Sequence, residues 1–394
     1  MKEISGGITS PQGFLAAGVR AGIKETGKDI ALIYSETIAQ VAAVFTTNQA
    51  AAAPVKLSKQ NCQDGLAQAI IINSGNANAC TGQQGGEDAK KMIDLTANEL
   101  NIASEKVLVS STGIIGKKLP MGKLTAGIKQ ACSSLDVNNQ AAEAIMTTDT
   151  YAKALAVEFE VAGEKIKLGG IAKGSGMIEP NMATMLSFIT TDLAIKQELL
   201  DAALEEAVNN SFNQITVDGD QSTNDTVAIL ANGQAKNKIV SKEDDGYNKF
   251  YQALEYICQE LAQQIVKDGE GATKFVEVNV KGALNKKDAD EIGKKIANSN
   301  LVKTALFGED PNWGRIVAAL GSTGIKVELD KLEVEINGQS IFGPQEQKYE
   351  TANNLLEAKE VDITIKLNLG EYETQVWTCD LSYEYIEINA EYHT

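Results

Sequence analysis

An α/β fold is predicted by three features of this 394-residue sequence. Short β-rich runs alternate with stretches of helical periodicity, the C-terminal half is rich in alternating segments of antiparallel type, and the length exceeds what one hydrophobic core usually serves. Two domains, or two layered halves, are therefore expected.

Taken in order, residues 30–34, 41–46 and 69–73 are β-rich and set off by Gly, Asn and Pro, whereas 86–99 carries a helical period. The stretch "DLAIKQELLDAALEEAVNNSFNQI" reads as an amphipathic helix starting near Asp192, with Leu193, Leu199, Leu200, Leu204 and Val208 on one face. A turn and a strand follow in "ITVDGDQSTNDTVAILANG", then a second long helix over 248–267. Beyond Phe275, "KFVEVNVKG", "IKVELDKLEVEING", "VDITIKLNLG" and "TQVWTCDLSYEYIEIN" alternate as strands do, interrupted by a helix at 289–297. No fixed-period repeat and no low-complexity linker occurs, so the two halves should interlock around shared sheets.

Apolar residues at 43% and charged residues at 23% describe a chain that folds by itself. A net charge of -17 with no offsetting basic block opposes nucleic-acid binding. No stretch has the apolar span of a membrane helix, and the opening "MKEISGGITSPQGF" lacks the apolar centre of a signal peptide, so the cytoplasm is the expected compartment. Cys62, Cys80, Cys132, Cys258 and Cys379 are scattered without a C-x-x-C pair and read as reduced packing residues. His393, the single histidine, sits beside the C-terminus. No histidine metal site can be built, and a Ser-His or Cys-His pair is disfavoured.

Several glycine- and polar-rich runs are candidates for chemistry. "GGIAKGSG" matches neither phosphate-binding glycine pattern. "VDGDQSTND" places Asp218, Asp220 and Ser222 in alternation, but Thr223 stands where a calcium loop needs Gly and Ile229 where its bidentate Glu belongs, so a polar turn is the better reading. "NSGNANACTGQQGGEDAKKM" reads as a tight loop entering a helix with Glu87 and Asp88 placed favourably in its first turn. After the apolar "KVLVS", Ser111, Thr112 and Gly113 could aim a hydroxyl and a backbone N–H at one point, which matters only if a nucleophile faces them.

A candidate nucleophile lies in "KGSGMIEPNMATMLSFITTD", where Thr184 stands at the mouth of an apolar strand. As a plain loop and strand start, the stretch needs no chemistry. A threonine hydroxyl is a poor nucleophile, and no histidine is at hand to activate it. Cleavage of the Ala183–Thr184 bond would supply a base, because the new α-amino group has a reference pKa of about 7.7–8.0. Gly174, Gly176 and Pro180 would then bend the approach to the scissile bond.

Several motifs in one order carry a resemblance that spans essentially the whole chain: "GGITSPQGF", "INSGNANACTG", "VSSTGIIG", "IMTTDT", "GGIAKGSGMIEPNMATMLSFITTD", "VDGDQSTNDT", "VKDGEGATK", "ALFGEDPNWGRI" and "INAEYHT". The sequence resembles the glutamate N-acetyltransferase, or ornithine acetyltransferase, family of arginine biosynthesis. The resemblance implies a layered αββα sandwich made of two autoproteolytic fragments, an α chain of residues 1–183 and a β chain of residues 184–394, paired into an α2β2 heterotetramer. It implies ping-pong transfer of acetyl from N-acetylornithine to glutamate, with Thr184 as nucleophile and Thr112 and Gly113 as oxyanion hole. Thr147, Lys173, Glu270, Asn389 and Thr394 fall on the family's substrate-contacting positions. No metal and no cofactor is implied; some members also accept acetyl-CoA as donor, and no motif decides that here. Two rival readings are an N-terminal-nucleophile aminopeptidase of related fold, in which water is the acceptor, and a non-enzymatic amino-acid-binding protein.

Overall fold

The strand Ile30–Phe45 holds the larger of two sheets together. Its first part pairs antiparallel with Phe14–Val19 and with Leu66–Asn76; the register then shifts between Tyr34 and Ala39, and its second part pairs with Thr226–Ala231. A register shift bends a strand, which lets this one serve two leaves of a folded sheet. What reads in sequence as two strands, at 30–34 and 41–46, is one. The exposed Glu36, Thr37 and Ile38 at the shift interrupt the apolar pattern without ending the pairing. In this computed structural model the described residues are 1–179, 185–344 and 354–391.

Side-chain alternation sorts the strands of that sheet into layers. Leu186, Phe188, Ala228 and Leu230 of one leaf share a core with Phe14, Ile33, Ile70 and Leu108 of the other. Their neighbours face outward on each side. Ile189, Val227 and Ile229 pack under the helices Gln197–Asn209 and Asp245–Lys267 through Leu200, Leu254 and Leu261. Leu32, Ile71 and Val109 pack under Gly82–Leu100 and Met121–Ser133 through Met92, Leu124 and Ile128. The order is helix, sheet, sheet, helix, which is the layered sandwich expected.

A second sheet, in the order Gln339–Phe342, Glu333–Ile336, Glu360–Lys366, Phe275–Ala283, Tyr372–Cys379, has its own core with Lys286–Ala297, Asn300–Phe307 and Trp313–Gly321. Its pairings are antiparallel except for Phe275–Ala283 on Glu360–Lys366, which is parallel. Trp377 and Cys379 carry it into the main core, and Ile215 bridges to Trp377. The N- and C-terminal halves of the chain do interlock, because Glu164–Lys173 pairs with Leu186–Thr191 along one sheet.

Several local expectations are corrected. The helix that carries Glu87 and Asp88 begins at Gly82, so both lie beyond its first turn. The helix placed near Asp192 begins at Gln197, because the Asp192 carboxylate accepts from Gln12 and Lys167 N–H, and Ile195 bridges to Val240. Residues 325–329 are not a strand. The "YEYIEINAE" stretch is the helix Tyr383–Glu391 despite its alternation, since Asp380 turns the chain by accepting from Thr273 and Lys274 N–H. Cys80 is exposed, so it is not a packing residue. No helix among the described residues is long and apolar enough to cross a membrane.

Candidate active site

A cavity of about 340 Å³ opens where the two leaves meet the C-terminal helix. Thr112, Gly113, Thr147, Lys173, Glu270 and Asn389 all line it, together with Met185, the residue that follows Thr184 in the chain. The site residues named from sequence and present among the described residues thus converge on one space. Ala183, Thr184 and Thr394 lie outside the described residues, as does His393.

The Thr112 corner is built by tight backbone packing. Val107–Ile114 runs parallel to Leu66–Asn76, with Thr112 opposite Ser74 and Gly113 opposite Gly75. Gly113 has φ +127°, and a Cβ there would fall 2.5 Å from Asn76 N, so only glycine fits. Asn224 pins this corner: its Nδ2 donates to Ala77 O at 2.6 Å and to Ser111 O at 2.8 Å. Because the Ser111 carbonyl belongs to the peptide that carries Thr112 N–H, the bond fixes the plane of that donor.

The opposite wall carries charge. Lys173 ends the strand Glu164–Lys173 with a largely buried side chain, 3.8 Å from Asp149 Oδ2. Burial works against ionising Asp149, but Lys173 and Lys153, with hydrogen bonds from Lys153 and Thr147 N–H, hold its carboxyl well below the usual range. Glu270 is placed by its own N–H, which donates to Ser175 O at 2.9 Å, and by Asn389 Nδ2, which donates to Glu270 Oε2 at 2.8 Å. Helical spacing puts Tyr385 on the same face as Asn389. The Tyr385 hydroxyl donates to Asp218 Oδ2 at 3.2 Å.

Asp218 also anchors the chain on its way to Pro180. Its two oxygens accept from Met177 N–H at 2.6 Å and Ile178 N–H at 2.8 Å. Met177 has φ +56°, a costly backbone state for a residue with a Cβ, held in place by these bonds. Asp225 is a different kind of carboxyl. It lines the cavity wall and is fully buried, its Oδ2 finds no hydrogen-bond partner, and burial pushes its carboxyl well above the ordinary value. Among the described residues no cluster of His, Cys, Asp or Glu could hold a metal ion.

Residues 15–394 match the model of the ArgJ family. The chain belongs to that family. The arginine biosynthesis bifunctional protein ArgJ of Caldanaerobacter subterraneus subsp. tengcongensis is 50% identical over 100% of both chains, and that of Bacillus subtilis 46% identical over 100% of this chain and 98% of its own. Among solved structures, the Bacillus halodurans ArgJ protein is 42% identical over 46% of this chain and 97% of its own, with a TM-score of 0.44. The Mycobacterium tuberculosis ornithine acetyltransferase, complexed with ornithine, is 40% identical over 46% of this chain and 99% of its own, also at 0.44.

Sequence reasoning missed Asp149, Asp218, Asn224, Asp225 and Tyr385. Asp218, Asn224 and Asp225 lie in the "VDGDQSTND" run dismissed as a polar turn, whose density of Asp, Ser, Thr and Asn was the available signal. For Asp149 the signal was its place two residues after Thr147.

Proposed function

We propose that this chain is a glutamate N-acetyltransferase of arginine biosynthesis, moving acetyl from N-acetylornithine to glutamate through an ester on Thr184. The observation that carries the reading is the convergence of Thr112, Gly113, Thr147, Lys173, Glu270 and Asn389 on one cavity beside Met185, in a chain of the ArgJ family. In the maturation step Thr184 Oγ attacks the Ala183 carbonyl, the acyl group moves from nitrogen to oxygen, and water hydrolyses the ester. An Ala183 carboxylate and a free Thr184 amine result, giving fragments 1–183 and 184–394 that stay together and pair as α2β2.

The amine then serves as base. It takes the Oγ proton as Oγ adds to the acetyl carbonyl of N-acetylornithine, and the Thr112 hydroxyl and Gly113 N–H hold the developing oxyanion. Collapse expels ornithine, whose nitrogen receives that proton. Glutamate enters the same cavity, its amine attacks the ester, and N-acetylglutamate leaves as Oγ regains a proton. Lys173 offers a cation to the ligand carboxylate, while Glu270 and Asn389 face an amino or amide group. Both half-reactions use groups of the chain itself, so no cofactor enters the scheme.

The test is an incubation of purified protein with N-acetylornithine, with and without glutamate. Ornithine release that depends on glutamate and yields N-acetylglutamate is expected. Release of acetate at equal rate without glutamate would instead favour the hydrolase reading. The same assay with acetyl-CoA in place of N-acetylornithine decides whether that donor is used, and denaturing electrophoresis should show two fragments.

A further inference from the structure

Four charged side chains are buried together behind the cavity. Asp149 and Lys153 have no exposed side-chain surface, and Asp268 and Lys173 have 2% and 9%. Lys153 Nζ lies 2.8 Å from Asp149 Oδ1 and 2.5 Å from Asp268 Oδ2. The set balances two cations against two carboxylates, as buried charges must.

Asp149 differs from its neighbours in what it holds. Its Oδ2 accepts from Thr147 N–H at 2.9 Å and its Oδ1 from Gly174 N–H at 2.7 Å. Lys173 Nζ, at 3.8 Å, is attracted but is beyond hydrogen-bond reach, whereas Lys153 is the close partner. One carboxylate therefore ties together Thr147 and Lys173, two cavity-facing residues, and the first residue of the 174–179 approach. Because Lys153 takes the close contact, the Lys173 donors are kept for a ligand.

We propose that Asp149 is the positioning residue of the cavity, holding Lys173 and Thr147 in the relative placement that receives the carboxylate end of an α-amino-acid ligand. The inference rests on the reading of this cavity as the glutamate and N-acetylornithine site. A purely structural Asp149 would affect melting alone; a positioning Asp149 affects ligand binding in chain that is still folded.

The experiment is Asp149→Asn in the full chain, with KM and kcat measured for glutamate and N-acetylornithine beside the melting temperature and near-ultraviolet circular dichroism. The amide keeps the shape but removes the charge and sets an N–H against other donors. KM for glutamate should rise about tenfold or more with a smaller fall in kcat, as expected when ground-state and transition-state binding are lost together. A folded variant with wild-type KM overturns the assignment, whatever its melting temperature. If Asp149→Asn does not fold, the pair Asp149→Asn/Lys153→Met removes one charge of each sign and should show the same rise in KM. Wild-type KM in the pair, or failure of both to fold, assigns the carboxylate to the fold alone. Absence of glutamate-dependent transfer by the wild-type chain would sink the proposed function, whereas wild-type transfer with unchanged KM in the variant sinks only this inference.

Discussion

Gly176→Ala should separate binding from folding. Gly176 lines the cavity in an approach whose neighbour Met177 is already strained, yet Gly176 itself is not in the left-handed region, so alanine is compatible with its backbone. The obstacle is Glu270: an added Cβ would lie 2.6 Å from Oε1 and nearer still to Oε2. A carboxylate at the end of a flexible side chain can swing away, so the cost to the fold should stay at the low end of overpacking, about 1 kcal/mol. Function fares worse. The displaced Glu270 loses the 2.8 Å bond from Asn389 and its aim at the ligand. Losing one hydrogen bond to a charged group is worth about 1.5–3 kcal/mol, or roughly a 10- to 150-fold rise in KM. Steady-state kinetics normalised to cleaved enzyme, alongside thermal melting, gives the answer. A folded, cleaved Gly176→Ala chain with wild-type KM for both substrates would refute the role given to Glu270.

Thr112→Ala removes the hydroxyl from the oxyanion corner while Asn224 still holds the Ser111–Thr112 peptide, so kcat should fall on the order of 10²-fold with the fold kept. Unchanged kcat in folded, cleaved protein would move the oxyanion site elsewhere. Asp225 predicts a pH effect. Its folded-state carboxyl is raised by burial, so the stability it contributes is full below the unfolded pKa of about 3.9 and declines as the pH rises from there until the folded pKa is passed. Asp225→Asn does not titrate, so its melting temperature relative to wild type should climb as the pH rises above about 4. A gap that does not change with pH would show that Asp225 is not held protonated.

The parts of the fold legible in the sequence were those whose apolar period matched their packing. The helix Asp245–Lys267 shows its buried face as Phe250, Leu254, Ile257 and Leu261, and 248–267 was read almost in full. Where tertiary ties decide, the local pattern misleads. Residues 383–391 alternate Tyr, Glu, Tyr, Ile, Glu, Ile like a strand, yet no residue of that helix is buried. Its course is set by Asp380, by the edge-on packing of Tyr383 on Phe307, and by Tyr385 and Asn389 reaching Asp218 and Glu270. The same division holds at the site. Lys173 and Glu270 could be named because their side chains suit a ligand and their motifs match a family. Asn224 could not, since it acts by holding Ala77 and Ser111 across separations that no local pattern encodes, and Asp149 shows only half its role locally: its bond from Thr147 N–H spans two residues, but its bond from Gly174 N–H spans 25.

In the proposed mechanism acetyl rests on Thr184 between two half-reactions, and mass spectrometry of the protein quenched after mixing with N-acetylornithine alone detects that ester. The fragment beginning at Thr184 should gain the mass of one acetyl group, peptide mapping should place it on Thr184, and adding glutamate should remove it with formation of N-acetylglutamate. A quenched protein that carries no acetyl group while turnover proceeds at its full rate would contradict the covalent account and require direct transfer between two substrates bound at once.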